Sequence, residues 1–121
     1  MPVFTRVVVP LDGSACAASA VARAISLAAD QNAEIHFIHV IERRLVREPM
    51  DETWRALNAR GEALLNQAVA AACGQNVTAT SAMLVTDGRR HPLAEQILAQ
   101  AATHGADLIV CGAHGSGSMA S

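Results

Sequence analysis

The chain has 121 residues, a net charge of −2 and a hydrophobic fraction of 51%, which together predict one domain with a sizeable core. With no basic surplus and only three aromatic residues, it lacks the features of a nucleic-acid-binding surface, so we expect no nucleic-acid partner. All nine basic residues are arginines, which excludes the phosphate-binding lysine of a Walker loop and the lysine of a Schiff-base enzyme.

The cysteines also indicate a compartment. Cys16, Cys73 and Cys111 are odd in number and far apart, which argues against a disulfide framework and a structural zinc site. Free thiols are typical of a reducing cytosol, so we expect a cytoplasmic protein. No segment is long and uncharged enough to span a bilayer, and we expect no membrane association.

The first strand and helix are marked by composition and by turn residues. The β-branched run Val7–Val9 predicts a strand, which Pro10 should end. The tight turn Leu11–Gly13 follows, and the Ser14 hydroxyl is suited to cap an alanine-rich helix over residues 15–29. The chain therefore begins with a β-α unit.

The second strand is predicted over residues 35–41. It contains His36 and His39, which are three residues apart. Because successive side chains of a strand point to opposite faces, these two rings should lie on opposite sides of the sheet and cannot share a metal ion. The sequence shows no other set of metal ligands and no catalytic residues.

A long helix and a third strand follow. Asp51 is a suitable cap for a helix that continues to about Cys73, and Gly74 is predicted as the left-handed residue just beyond its end. Residues 77–85 alternate less regularly and predict a third strand, at an edge of the sheet.

The last predicted elements are a helix, a strand and a glycine-rich loop. Pro92 suits the first turn of the helix, which should end at His104 and Gly105. Residues 108–111 are apolar and predict a strand covered on both faces, followed by the glycine loop of residues 112–118.

The predicted order is β-α-β-α-β-α-β, which indicates an α/β fold of the Rossmann-like kind: an open parallel sheet with helices on both faces. In such folds ligands bind at the carboxyl ends of the strands, near the point where the strand order reverses. Two loops belong at that edge, residues 11–14 and residues 112–118.

Three segments together resemble the universal stress protein family. They are residues 7–14, the pair His39-Val40 at the end of the second strand, and residues 106–115. The resemblance spans the whole chain and implies the adenine nucleotide alpha hydrolase-like variant of the fold. One departure is residues 88–92, where the family usually has Gly-x-Pro and this chain is two residues longer.

The resemblance also implies a site for ATP or another adenine nucleotide, together with a magnesium ion that the nucleotide carries. Asp12 would accept hydrogen bonds from the ribose or the adenine edge, and Val40 would contact adenine through its backbone. The glycines of the last loop would cradle phosphates with their backbone N–H groups. The implied cofactor-binding residues are Pro10, Asp12, Val40, Gly112, His114 and Gly115.

Each of these residues also has a plain structural interpretation. Asp12 is equally suited to bond its own backbone in a turn. Val40 is an ordinary strand residue, and Gly112 and Gly115 fit a simple strand-to-loop turn. His114 suits a solvated loop as well as a phosphate contact.

The family's ATP-binding branch carries G-x2-G-x9-G-[S/T] after the fourth strand, and Gly112 and Gly115 match its first half. The second half would fall beyond Ser121, as would the family's C-terminal helix and fifth strand. We therefore expect residues 1–121 to be a single, C-terminally incomplete domain of this type. Without its neighbour the apolar fourth strand becomes an exposed edge, which favours a homodimer.

These observations predict a nucleotide-binding protein with a role in the stress response. Any ATP hydrolysis would be slow, since the chain offers no lysine and no obvious metal site. One alternative is an interaction module of the same fold that dimerises and binds no nucleotide. Another is a small-molecule enzyme of a related α/β superfamily, although no catalytic base is recognisable.

Overall fold

The computed structural model of the chain describes residues 5–11, 15–42, 52–86 and 93–111. Within these ranges strands and helices alternate, as the sequence predicts. The elements are β1 (Arg6–Leu11), α1 (Ala15–Gln31), β2 (Glu34–Glu42), α2 (Glu52–Gly74), β3 (Ala79–Thr86), α3 (Leu93–Thr103) and β4 (Leu108–Ile109). The predicted α/β order is confirmed.

The strands form one parallel sheet in the order β3-β2-β1-β4. The chain builds outward from β1 through β2 to β3 and then crosses back to place β4 on the other side of β1. The strand order therefore reverses between β1 and β4. In open α/β sheets this switch point is where ligands bind, at the carboxyl ends of the strands.

The two faces of the sheet carry separate apolar clusters, because side chains alternate along each strand. On one face Val7 and Val9 pack with Phe37 beneath α1 and α2. On the other face Val8 and Ile38 pack with Ala101 of α3. Helices therefore cover both faces, as expected for a parallel sheet whose strands are apolar throughout.

Helix α1 faces the sheet with small side chains. Its buried alanines recur every three or four residues, which is the spacing of one helix face. They are Ala17, Ala20, Ala24 and Ala28. Because alanine has little bulk, the helix lies close to the sheet, and the core needs few aromatic residues.

Each of the three helices is followed, within two residues of its end, by a residue with a positive φ. These residues are Asn32 (56°), Asn76 (61°) and Gly105 (64°). After α2, the Val77 N–H donates to the Ala72 carbonyl at 2.9 Å, the bond expected when Asn76 is the left-handed residue. The prediction that Gly74 has this role is wrong, since Gly74 belongs to the helix.

The prediction that Pro10 ends the first strand is also wrong, because β1 continues through Pro10 to Leu11. Proline is tolerated because of the side to which its nitrogen points. The Val110 N–H donates to the Val8 carbonyl at 3.0 Å, so even-numbered residues of β1 turn their backbone groups toward β4. The next bond of that ladder would need an N–H on Pro10, which proline lacks. Pairing between β1 and β4 accordingly includes only Val7 and Val8.

Candidate functional site

The sequence places the site at the carboxyl edge of the sheet, and two of its six predicted residues lie there in the described structure. Pro10 in β1 and Val40 in β2 are both half-buried. By strand alternation from Val8 and Ile38, both lie on the α3 face. The other four predicted residues, Asp12, Gly112, His114 and Gly115, lie outside the described residues.

Val40 stands at a step in this edge. The pairing of β1 with β2 extends to the pair Leu11–His39, whereas β2 remains paired with β3 as far as Glu42 and Thr86. Val40 is therefore one residue beyond the last described partner in β1. Its register partner in β3 is Leu84, but even-numbered residues of β2 turn their backbone groups toward β1, as the bond from the Glu34 N–H to the Thr5 carbonyl shows. Asp12 is the residue after Leu11 in the sequence.

His39 holds the carboxyl end of β1, a role that the sequence does not predict. The His39 Nδ1 lies 2.8 Å from the carbonyl oxygen of Leu11. Above the ring, the buried Gly61 of α2 has no side chain, and a Cβ built there would lie 2.6 Å from His39 Cδ2. A glycine in the middle of a predicted helix is the sequence signal that would have revealed this close approach.

Cys111 follows β4 at the same edge and is half-buried. Burial raises the pKa of its thiol, because the charged thiolate loses solvation. The thiol is therefore protonated at neutral pH and is a poor nucleophile. Its position favours packing over covalent chemistry.

The amino-terminal half of the sheet contains a different polar cluster, on the α3 face. His36 is 7% exposed, and its Nδ1 lies 2.7 Å from the Thr80 hydroxyl. Its ring stacks on His104 with centroids 3.7 Å apart, while its Nε2 is buried without a hydrogen-bond partner. Burial, and secondarily the neighbouring His104, lowers the pKa of His36. Both observations indicate a neutral ring.

A groove of about 560 Å³ lies beside this pair. Arg6 and Glu34 border it at the start of their strands, and His36, Thr80 and His104 are among its other polar lining residues. The Arg6 guanidinium donates to the His104 carbonyl at 3.0 Å. Neither Pro10 nor Val40 lines this groove, so it is separate from the predicted site.

The start of β1 is tied to the start of β4 by Asp107. Its Oδ2 accepts from the Thr5 hydroxyl and the Thr5 N–H, both at 2.6 Å, and from the Arg6 N–H at 3.2 Å. The hydroxyl bond, followed by the two backbone bonds, lowers the pKa of this exposed carboxyl. Hydrogen bonds to one carboxylate therefore hold the amino-terminal ends of β1 and β4 together.

Neither a metal-binding cluster nor a membrane-spanning helix is found among the described residues. In residues 5–11, 15–42, 52–86 and 93–111, no three His, Cys, Asp or Glu side chains come together as a metal site would require. Over the same ranges, no helix has the length and apolar character needed to cross a membrane.

Comparison with known proteins decides the family. The sequence model of the universal stress protein family matches residues 4–121, nearly the whole chain. The chain belongs to the universal stress protein family. The resemblance that the sequence shows at residues 7–14, 39–40 and 106–115 is thereby confirmed. A search of curated proteins finds no match.

Solved structures of the family share the fold. A universal stress protein family member from Burkholderia pseudomallei is 27% identical, with a TM-score of 0.79 over 92% of this chain and 83% of that chain. A family member from Arabidopsis thaliana, solved with AMP bound, is 18% identical, with a TM-score of 0.70 over 96% and 81%. A universal stress protein in complex with cAMP is 24% identical, with a TM-score of 0.66 over 88% and 71%. The last two comparisons support the fold.

Proposed function

We propose that this universal stress protein binds an adenine nucleotide at the carboxyl edge of the sheet, between β1 and β4, and that the nucleotide is ATP. The observation that carries the proposal is the reversal of strand order at this position. The loop containing Asp12 follows β1, and the loop containing Gly112 follows β4. One loop therefore begins on each side of the switch point. Family members with bound AMP and cAMP support the same ligand class.

Each predicted residue has a role that its chemistry supports. Asp12 accepts hydrogen bonds from the ribose or the adenine edge. Val40 contributes backbone groups at the step where β2 extends past the described end of β1. Pro10 limits the β1–β4 ladder and so keeps the two strand ends from pairing further.

The glycine loop serves the phosphates in this proposal. Gly112 and Gly115 allow backbone N–H groups to approach an anion closely, and His114 lies between them in the sequence. A magnesium ion that arrives with the nucleotide supplies charge neutralisation at the phosphates. The protein's own residues bind and orient, so we propose a binding protein of the stress response rather than an efficient hydrolase.

A calorimetric titration tests the proposal. MgATP is titrated into the chain and into Asp12→Ala, with Asp30→Ala as a matched control, since Asp30 is an exposed carboxylate in the last turn of α1. We expect saturable 1:1 binding by the wild-type chain and by Asp30→Ala, and at least tenfold weaker binding by Asp12→Ala. The absence of saturable heat in the wild-type chain would contradict the proposal.

A second candidate function, self-association, is favoured by the outer side of β4. The Val110 N–H points to β1, so the backbone groups of Ile109 point away from it. Among the described residues no strand pairs with that side, and unpaired strand edges favour pairing with another chain. We propose a homodimer through β4. Light scattering over a range of concentrations tests it, and a constant monomer mass would contradict it.

A further inference from the structure

His39 is held where β1 ends. Its Nδ1 lies 2.8 Å from the Leu11 carbonyl oxygen, and Leu11 is the last described residue before Asp12. A carbonyl oxygen only accepts hydrogen bonds, so Nδ1 must carry the proton. The structure thus assigns the tautomer of this ring, with Nε2 turned toward α2 at Gly61.

Gly61 makes this ring position accessible. A Cβ on residue 61 would lie 2.6 Å from His39 Cδ2, 3.2 Å from its Nε2 and 2.8 Å from Met83 Cε. The Met83 terminus is flexible and can move, whereas the His39 ring is fixed by its bond to Leu11. Any larger residue at 61 therefore pushes the ring away from the Leu11 carbonyl. A glycine in the middle of a helix is less favourable than alanine by about 1 kcal/mol. The close contact with His39 explains why residue 61 is nevertheless a glycine.

The Leu11 carbonyl is also part of the ladder between β1 and β2. The Glu34 N–H donates to the Thr5 carbonyl at 2.9 Å, and the register continues without a break to the pair Leu11–His39. In a parallel ladder such bonds recur every two residues along each strand. Counting from the bond between Glu34 and Thr5, the Val40 N–H donates to the Leu11 carbonyl. A carbonyl has two acceptor positions, so His39 adds a second donor from its side chain. The last peptide of β1 is held from two directions.

The constraint on this carbonyl extends to the next residue. The Leu11 carbonyl and the Asp12 N–H belong to one planar peptide, so fixing the oxygen also fixes the direction in which the chain continues to the Asp12 Cα. No contact between His39 and a ligand is required. The effect passes through the backbone.

We propose that His39 is a positioning residue of the nucleotide site: its Nδ1–H fixes the Leu11–Asp12 peptide and so sets the position from which Asp12 meets the nucleotide. This inference rests on the proposed adenine-nucleotide function. His39 lies on the face of the sheet that α2 covers, whereas Pro10 and Val40 lie on the face that α3 covers. Gly61 supports this role, because its lack of a side chain leaves room for the His39 ring.

The test compares two replacements of the same ring. Asn retains an N–H donor on the atom attached to Cγ, in the position of Nδ1, whereas Leu retains the bulk without a donor. We expect His39→Leu to weaken MgATP binding about tenfold, the effect of one net hydrogen bond, and His39→Asn to restore most of it. The control is His36→Leu, which removes a buried ring from the same strand on the other face and should leave affinity unchanged.

A double-mutant cycle separates positioning from general destabilisation. If His39 acts through Asp12, His39→Leu weakens binding less when Asp12→Asn is already present than it does alone. Equal losses in both backgrounds would overturn the proposal. So would equal affinities for His39→Leu, His39→Asn and the wild-type chain.

A ligand-free measurement distinguishes this inference from the proposed function. Long-range nitrogen–proton NMR spectra report which ring nitrogen of His39 carries the proton, and we expect Nδ1. We also expect His39→Leu to shift the backbone resonances of residues 11–13 more than His36→Leu does. If the wild-type chain binds no MgATP, the proposed function fails and these spectra still decide whether His39 holds the peptide. A proton on Nε2, or unchanged resonances, overturns the inference.

Discussion

His36 and His39 lie three residues apart on β2, yet the sheet gives them opposite surroundings. His39 donates to the Leu11 carbonyl on the α2 face, where Gly61 leaves room for the ring. His36 lies on the α3 face, bonded to Thr80 and stacked on His104, with its Nε2 buried and without a partner. The same residue type therefore serves the carboxyl edge in one case and the amino-terminal half of the sheet in the other.

The two ends of the parallel sheet therefore differ in the interactions that hold them. The proposed ligand edge needs unpaired backbone groups, and Pro10 limits the pairing of β1 with β4 there. The opposite end has no such requirement and is closed by side-chain hydrogen bonds. Asp107 accepts from the Thr5 hydroxyl, the Arg6 guanidinium donates to the His104 carbonyl, and the Thr80 hydroxyl bonds to His36. The following substitutions test this difference between the two ends of the sheet, beginning with the one that should change stability most.

The largest effect should come from filling the space above His39. Gly61→Val places a branched side chain against a ring that a single Cβ would approach to 2.6 Å. We expect a loss of about 2–3 kcal/mol in unfolding free energy, as for an overpacked core. Urea denaturation measures it.

Gly74→Ala is the matched control, because it changes a glycine of the same helix with nothing within 4 Å of the new Cβ. It should stabilise the protein by about 0.5–1 kcal/mol through helix propensity. Equal effects of the two substitutions would show that the close approach at His39 is unimportant.

The next effect should come from the partner of His36. Thr80→Val removes the hydroxyl that lies 2.7 Å from Nδ1 and leaves the buried ring without that bond. We expect a loss of about 1–2 kcal/mol, the usual result of leaving a buried polar group unsatisfied. Thermal unfolding at pH 8 measures it. Unchanged stability in Thr80→Val would mean that the ring finds another partner.

The pH dependence of stability should report the protonation of His36. The pKa of His36 is lowered from its ordinary value of 6.5, so the unfolded chain binds a proton more readily than the folded protein does. Stability is fully present above about pH 6.5 and is lost as the pH falls toward the folded-state pKa. The slope cannot exceed about 1.4 kcal/mol per pH unit for one proton.

His36→Leu should flatten that slope between pH 6.5 and 5 in denaturation experiments. Because the variant also removes the unpaired Nε2, its stability at pH 5.5 should approach or exceed that of the wild-type chain. An unchanged slope in His36→Leu would show that a different group is responsible for the acid sensitivity.

The smallest effect should come from the exposed clamp at the start of the sheet. Hydrogen bonds from Thr5 and Arg6 lower the pKa of Asp107 below its ordinary value of 3.8. Its contribution is therefore present above that value and is lost as the pH falls through the folded-state pKa. Asp107→Asn should make unfolding less steep below pH 4. A variant that retains the wild-type acid transition would contradict the role of the clamp.

Much of the fold is predictable from the sequence because local signals and burial agree. The β-branched and apolar runs become strands, and the alanine-rich segment becomes α1. The errors occur where a tertiary partner decides. Pro10 stays within β1 because its nitrogen faces the side where pairing with β4 stops. Helix α2 passes through Gly74 because Asn76 adopts the left-handed conformation instead.

The candidate site is predictable only in part, for a related reason. The edge that binds a ligand is set by strand order, which follows from the β-α alternation. The contacts that shape this edge join residues distant in sequence, such as His39 with Leu11 and with Gly61. Nothing in the local sequence around His39 specifies those partners. The binding roles of all six site residues remain predictions, and Asp12, Gly112, His114 and Gly115 also lie outside the described residues.

An NMR titration can locate the ligand on the sheet. Amide resonances are followed in a nitrogen–proton correlation spectrum while MgATP is added. We expect the largest shifts at Asp12, Val40 and Gly112, with little change at Thr80 and His104 beside the groove of the amino-terminal half. Shifts concentrated at Thr80 and His104, or no shifts at saturating nucleotide, would contradict a nucleotide site at the carboxyl edge of β1 and β4.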